Sequence, residues 1–276
     1  VSVAAPVAPP STVAVLERAA DDVVCLAVPL DVGAVGLWYA DFDQVSDTDV
    51  VALLDEAERS LRSERWEGSL RLDSVDLPAT LVVPPEPSGA ILFAHGSGSG
   101  HASPRNVAVA RTLESAGLGT LRFDLLTPEE AINRVNVFKI GLLGSRLAAA
   151  TSWMLRRPET RELPLGYFGA STGAAAALWA AASFPDVVRA VVSRGGRPDL
   201  ARPRLGLVKA PTLLIVGGND REVLALNHAA AEELRCEHEI AIVPGATHLF
   251  EEPGALDRVA ELARGWFCNH LRAGPS

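Results

Sequence analysis

From residue 68 onward, short apolar runs alternate with longer stretches of helical period. Runs at 69–75 and 78–83 lead into another at 90–94, and further runs lie at 119–123, 163–168, 187–193, 211–216 and 239–243. Each is long enough for one buried strand and too short for a helix. Between them the period changes, and helices are predicted near 105–117, 137–156, 171–184, 222–234 and 255–271. Strand and helix in alternation predict an α/β fold, a mostly parallel central sheet with helices on both faces. No segment repeats, so a solenoid is excluded. Only residues 194–210 separate the strands at 187–193 and 211–216. No cap domain is expected there, and the site should open to solvent among loops.

The first 60 residues have a different pattern. Apolar runs at 2–7 and 23–28 read as strands flanking a helix near 11–20, a short βαβ-like appendage. Ser46-Asp47-Thr48-Asp49 reads as a helix start with acids in its first turn. The charged stretch DEAERSLRSERWE at 55–67 reads as a linker or linking helix. Two domains are therefore expected, residues 1–60 and residues 61–276. A piece as small as the first cannot bury both faces of its strands alone. It is expected to dock, to belong to a larger domain, or to associate with a second copy.

Candidate chemistry sits where the larger domain's strands end. Residues 166–173 read Gly-Tyr-Phe-Gly-Ala-Ser-Thr-Gly. This places Ser171 on a tight turn between a strand and a helix, with glycine two residues to either side. That is the nucleophile elbow of the α/β-hydrolase fold, in which the hydroxyl stands clear of the sheet. Asp220 follows the strand at 211–216 in the loop GGND, and His248 follows the strand at 239–243 in the loop PGATH. The order Ser, Asp, His is the order of that fold, and each residue lies at the strand edge where open α/β sheets hold their sites. In this arrangement Ser171 is the nucleophile, His248 the general base and then acid, and Asp220 the group that orients the imidazole. Asp199 is the competing acid. The turn HGSGSG at 95–100 brings the backbone amide of Ser97 to the site, and with that of Thr172 it is the expected oxyanion hole.

Other residues near this edge are candidates for binding. Arg194 and Arg197 are positioned to hold a substrate carboxylate, against the alternative that they pair with Asp199 or other loop acids. His95 is a candidate substrate contact, although packing of the turn is the simpler reading for it and for His101. Asp124 is expected to fix its loop, and Glu251 and Glu252 to decorate the start of the last helix. The six histidines show no metal-ligand spacing, and no cofactor or metal is expected.

Composition narrows the partners. A net charge of −9 with no basic patch argues against nucleic acid. The longest apolar stretch is too short to span a bilayer. Three widely spaced cysteines, Cys25, Cys236 and Cys268, suggest neither a disulfide framework nor a zinc site. The opening VSVAAPVAPP lacks the basic start of a signal peptide, so a cytoplasmic location is expected. The expected partner is a small-molecule ester, with association through the N-terminal segment.

The segments FAHGSGSG (93–100), LRFDLLTPEE (121–130), GYFGASTGAAAA (166–177), PTLLIVGGND (211–220) and PGATHLFEEPG (244–254) resemble the dienelactone-hydrolase-like branch of the α/β-hydrolases. The resemblance covers 68–276 and implies a hydrolase acting through an acyl-enzyme. True dienelactone hydrolases use cysteine where this chain has Ser171, so an ester, thioester or lactone other than dienelactone is the implied substrate. Lys139 stands where relatives are expected to carry an acid. Stretches 3–16 and 36–54 are similar to the C-terminal part of a type I phosphoribosyltransferase. The diphosphate-binding signature is absent, so no phosphoribosyl transfer is expected. A non-catalytic interaction module, or an acyltransferase or peptidase using the same triad, stays open at this point.

Overall fold

The computed structural model describes residues 2–39, 46–72 and 75–271. The chain divides into two compact units, Val1–Leu54 and Asp55–Ser276. In the first, β1 (Ser2–Val7) and β2 (Asp22–Ala27) pair in parallel through the crossover helix α1 (Pro10–Ala19). Both strands alternate between exposed and half-buried residues and α1 buries none, so this unit has almost no core of its own. Leu26 is 84% exposed and Leu30 92% exposed. Residues 40–45, inside the stretch that resembles a phosphoribosyltransferase, lie outside the described residues. The boundary between the units falls within helix α2 (Asp47–Arg62). The charged stretch expected as a linker is thus helix as far as Arg62, and from Glu64 it is strand.

The second unit is built on an eight-stranded sheet. Its strands are β3 (Glu64–Leu72), β4 (Val75–Val83), β5 (Gly89–Ala94), β6 (Leu118–Phe123), β7 (Leu165–Ala170), β8 (Val188–Arg194), β9 (Thr212–Gly217) and β10 (His238–Val243). They are ordered β10-β9-β8-β7-β5-β6-β4-β3. Every pairing from β6 to β10 is parallel, and β3 and β4 add an antiparallel edge. β5, β6, β7 and β9 are buried at every position and β8 at all but Arg189, as strands covered on both faces must be. One core lies under α5 (Ile140–Met154) and α6 (Thr172–Ala181). The other lies under α3 (Pro104–Ser115) and α8 (Ala255–His270). This is the α/β-hydrolase fold.

Two segments differ from the expected pattern. The helix predicted from 137 begins only at Ile140. Before it, α4 (Pro128–Ile132) and a 3₁₀ turn (Arg134–Phe138) fold over the end of β6. A capping box holds α4: Thr127 Oγ1 accepts from Glu130 N, while the Glu130 carboxylate accepts from Thr127 N. The same carboxylate meets the buried Arg146 guanidinium of α5 in a bidentate pair. The capping box is local, and the pair with Arg146 ties the short helix to α5. Residues 198–207, expected as a loop, form a 3₁₀ run after β8.

Candidate active site

Ser171 occupies the turn between β7 and α6 with φ 51° and ψ −122°, outside the regions that side chains other than glycine favour. The flanking glycines explain how the turn closes. A Cβ on Gly173 would sit 2.0 Å from Ala94 O, and one on Gly169 would sit 2.4 Å from Ala174 Cα. Any side chain at either place would push helix and strand apart. The strained serine is held from two sides: its N–H donates to Arg194 O (3.2 Å), and its carbonyl accepts from Arg197 N (3.1 Å).

Asp220 and His248 meet at the same sheet edge. His248 Nδ1 lies 2.7 Å from Asp220 Oδ2. The carboxylate can only accept, so Nδ1 carries the proton and Nε2 keeps a free lone pair. Asp220 is the N-cap of α7 (Arg221–Ala231), yet its side chain bonds no helix N–H and is left for the imidazole. Gly195 (φ 50°) joins the two halves of the site. It follows Arg194, whose carbonyl holds Ser171, and a Cβ on it would lie 3.1 Å from His248 O and 3.6 Å from His248 Cε1. Among the described residues no hydrogen bond links Ser171 Oγ to His248.

Ser97 and Thr172 line one small crevice together. Thr172 is the first residue of α6, where helix N–H groups have no partner within the helix. The turn 95–100 also lines a larger cavity of about 500 Å³, together with Leu126, Ala131 and Val137. The α4 segment and the turn after it are therefore a wall of this cavity.

The structure separates the candidate binding residues. His95 has no free ring nitrogen. Leu125 N donates to its Nε2 (3.0 Å), so Nδ1 carries the proton and donates to Gly96 O (2.9 Å). Burial lowers its affinity for a second proton. His95 ties the turn at 96 to the loop after β6, and it lines the crevice that Ser97 and Thr172 share. Arg197 is likewise occupied, its Nε and Nη2 on the two carboxylate oxygens of Asp199 at 2.8 and 2.7 Å. That fork also leaves Asp199 bound elsewhere than at His248. Asp124 accepts from His101 N (2.7 Å) and holds its loop.

Arg194 is the exception. It is 8% exposed, and its Nε and Nη1 are buried without a partner among the described residues. Its guanidinium lies over Phe250, 5.9 Å from the ring centre. Burial, then the like charge of Arg105, push its pKa down to about 10. Glu251 and Glu252 do more than decorate the last helix. Glu252 accepts from Thr247 N (3.1 Å) beside His248, and Glu251 pairs with Arg105. Asn227 of α7, missed in the sequence, donates to Gly196 O (3.0 Å) and anchors the turn behind Ser171. An inward amide on a helix has no local signature. Among the described residues no three His, Cys, Asp or Glu side chains converge as a metal-ligand set, and no helix is long and apolar enough to cross a membrane.

Comparison with known proteins follows the same division. The dienelactone hydrolase family matches residues 131–266. A crystal structure of dienelactone hydrolase from Anabaena variabilis is 53% identical, with a TM-score of 0.74, and covers 76% of this chain and 100% of that one. Est1E from Butyrivibrio proteoclasticus has a TM-score of 0.65 at 17% identity, covering 74% of this chain and 98% of its own, a likeness of fold. Two curated Mycobacterium tuberculosis proteins, from strains CDC 1551 and H37Rv, are 52% identical over all of this chain and bear the name phosphoribosyl transferase. The chain spans 65% of their length.

Proposed function

The chain belongs to the dienelactone hydrolase family, and we propose that it is a serine hydrolase cleaving a small ester, thioester or lactone through an acyl-enzyme. The reading rests on one observation above the others: the Asp220–His248 bond at the edge that carries Ser171 on its strained turn. In the proposed reaction His248 Nε2 takes the proton of Ser171 Oγ as the oxygen bonds the acyl carbon. The carbonyl π pair moves onto oxygen, where the backbone N–H groups of Thr172 and Ser97 receive it. Collapse re-forms the carbonyl and breaks the bond to the leaving group, which takes the proton from His248. Water then repeats the sequence on the acyl-serine, and the free acid departs. Asp220 keeps Nδ1 protonated throughout and stabilises the imidazolium.

Arg194 supports a substrate that carries its own anion. A buried cation without a carboxylate is costly, and an acidic group on the substrate would supply the missing charge. The name borne by the mycobacterial relatives describes proteins half as long again as this chain. Here the first unit is proposed to serve packing or association between copies rather than phosphoribosyl transfer, with the exposed Leu26 and Leu30 as its contact residues. A cytoplasmic location is part of the same proposal.

A fluorophosphonate probe tests the central claim without knowledge of the substrate. The parent should be labelled and should hydrolyse short p-nitrophenyl esters, and Ser171→Ala should do neither while keeping its fold. Labelling or hydrolysis near the parent level in that variant would remove Ser171 from the reaction.

A further inference from the structure

A second cavity, of about 400 Å³, lies between the β3–β4 edge and α3 and shares none of the proposed triad. Three arginines from three elements line it: Arg65 of β3, Arg111 of α3 and Arg122 of β6. Arg122 is 5% exposed. Its Nη1 donates to His101 O (2.9 Å), its Nε is buried without a partner, and its Nη2 bonds nothing among the described residues. Arg111 makes no hydrogen bond or ion pair among them either. Of the two acids in the lining, Glu67 accepts from Arg65 itself (2.9 and 2.5 Å), and Glu114 accepts the Thr120 hydroxyl, so neither pairs with Arg111 or Arg122. Three guanidinium groups against two carboxylates leave a net positive cavity, with His101 at its rim. Burial holds Arg122 below its ordinary pKa. Glu114 opposes that shift, while the like charges of Arg65 and Arg111 add to it, so the three cations feel one another.

We propose that this cavity is a binding site for the phosphate group of a small phosphate monoester, held by Arg111 and Arg122 with Arg65 at the mouth. A phosphate dianion offers three acceptor oxygens, enough for the forks of Arg111 and Arg122 with one left for Arg65, where a carboxylate offers two. The volume exceeds that of the phosphate alone and falls in the range of small-molecule sites, leaving room for the esterified portion. The site also touches the hydrolase turn. Arg122 holds His101 through its carbonyl, and His101 follows Gly100 at the end of the turn that carries Ser97. An occupant drawing on Arg122 would be felt there.

Isothermal titration of the full chain with inorganic phosphate, and with glycerol 3-phosphate, at fixed ionic strength tests the proposal independently of hydrolysis. Saturable binding at one site per chain is expected, tighter for the monoester. It should weaken at least tenfold in Arg111→Gln, whose exposed position leaves the fold intact, and also in Arg65→Gln, while Arg194→Met binds like the parent. Binding no stronger than that of chloride overturns the proposal. So does binding retained in Arg111→Gln, or lost in Arg194→Met instead, which would move the anion to the triad side.

Discussion

Replacing Arg194 by methionine should make the protein more stable and its hydrolysis less selective. The guanidinium is buried, two of its nitrogens lack partners among the described residues, and the charge that acts on it is that of another arginine. Its pKa falls from the ordinary guanidinium range to about 10. At about 1.4 kcal/mol per pH unit, keeping the cation in the folded state costs roughly 3 kcal/mol. The sign follows from linkage. A base whose folded-state pKa is lowered destabilises the fold fully at any pH below the folded value, and the cost is relieved only above about 10. Methionine removes this cost and occupies much of the same volume. It forfeits the contact with the Phe250 ring, worth about 0.5–1 kcal/mol, and some packing of the side-chain stem. The net expectation is a gain of about 1–2 kcal/mol. For a unit of this size that raises the unfolding temperature by roughly 2–8 °C in calorimetry at pH 7. Esters bearing a free carboxylate should lose kcat/KM by tenfold or more, while matched neutral esters change little. A variant that melts below the parent would refute the uncompensated charge. An equal loss on acidic and neutral esters would refute its part in substrate selection.

Three further outcomes are expected. Asp220→Asn should lower kcat by about 10⁴, because an amide cannot hold the imidazole in its working tautomer; Asp199→Asn should cost far less, and a reversed order in steady-state assays would transfer the role. His95 is kept neutral by burial, so the unfolded chain takes up its proton first as pH falls. Stability should therefore drop on acidification through about pH 6.5, and His95→Asn, though weaker at pH 7, should show a shallower loss between pH 7 and 5 in urea titrations. Gly173→Ala should cost more than about 3 kcal/mol or fail to fold, since its methyl would lie 2.0 Å from a backbone oxygen; a soluble variant with the parent's melting temperature would contradict the elbow's geometry.

The larger unit was legible because its signals are local. A buried strand is a short apolar run, and a glycine-flanked serine must be spelled within a few residues of the chain. Asp220 and His248 could be nominated for the same reason: topology delivers the end of every parallel strand to one edge, so chain position implies spatial position. The hydrogen bond between them is what the fold adds. The Thr127–Glu130 capping signature of α4 is spelled in the sequence, whereas the Glu130–Arg146 pair that ties it to α5, across sixteen residues, is decided by the fold. The bonds of Glu252 and Asn227 are likewise decided by which atoms the fold brings together, and the fold selects, between the two readings of Arg197, its fork on Asp199.

Charge was the quantity least readable from the sequence. Arg194 and Arg197 stand three residues apart after one strand and look equivalent there. Packing lays one under Phe250 with no counter-ion and gives the other a carboxylate. Arg65, Arg111 and Arg122 share a cavity only because β3, α3 and β6 are brought side by side. Periodicity and turn chemistry follow from covalent neighbours, so the sequence by itself determines the order of elements and the residues at their ends. Whether a charge is solvated, paired or stranded depends on what surrounds it in three dimensions, and only the tertiary structure decided that.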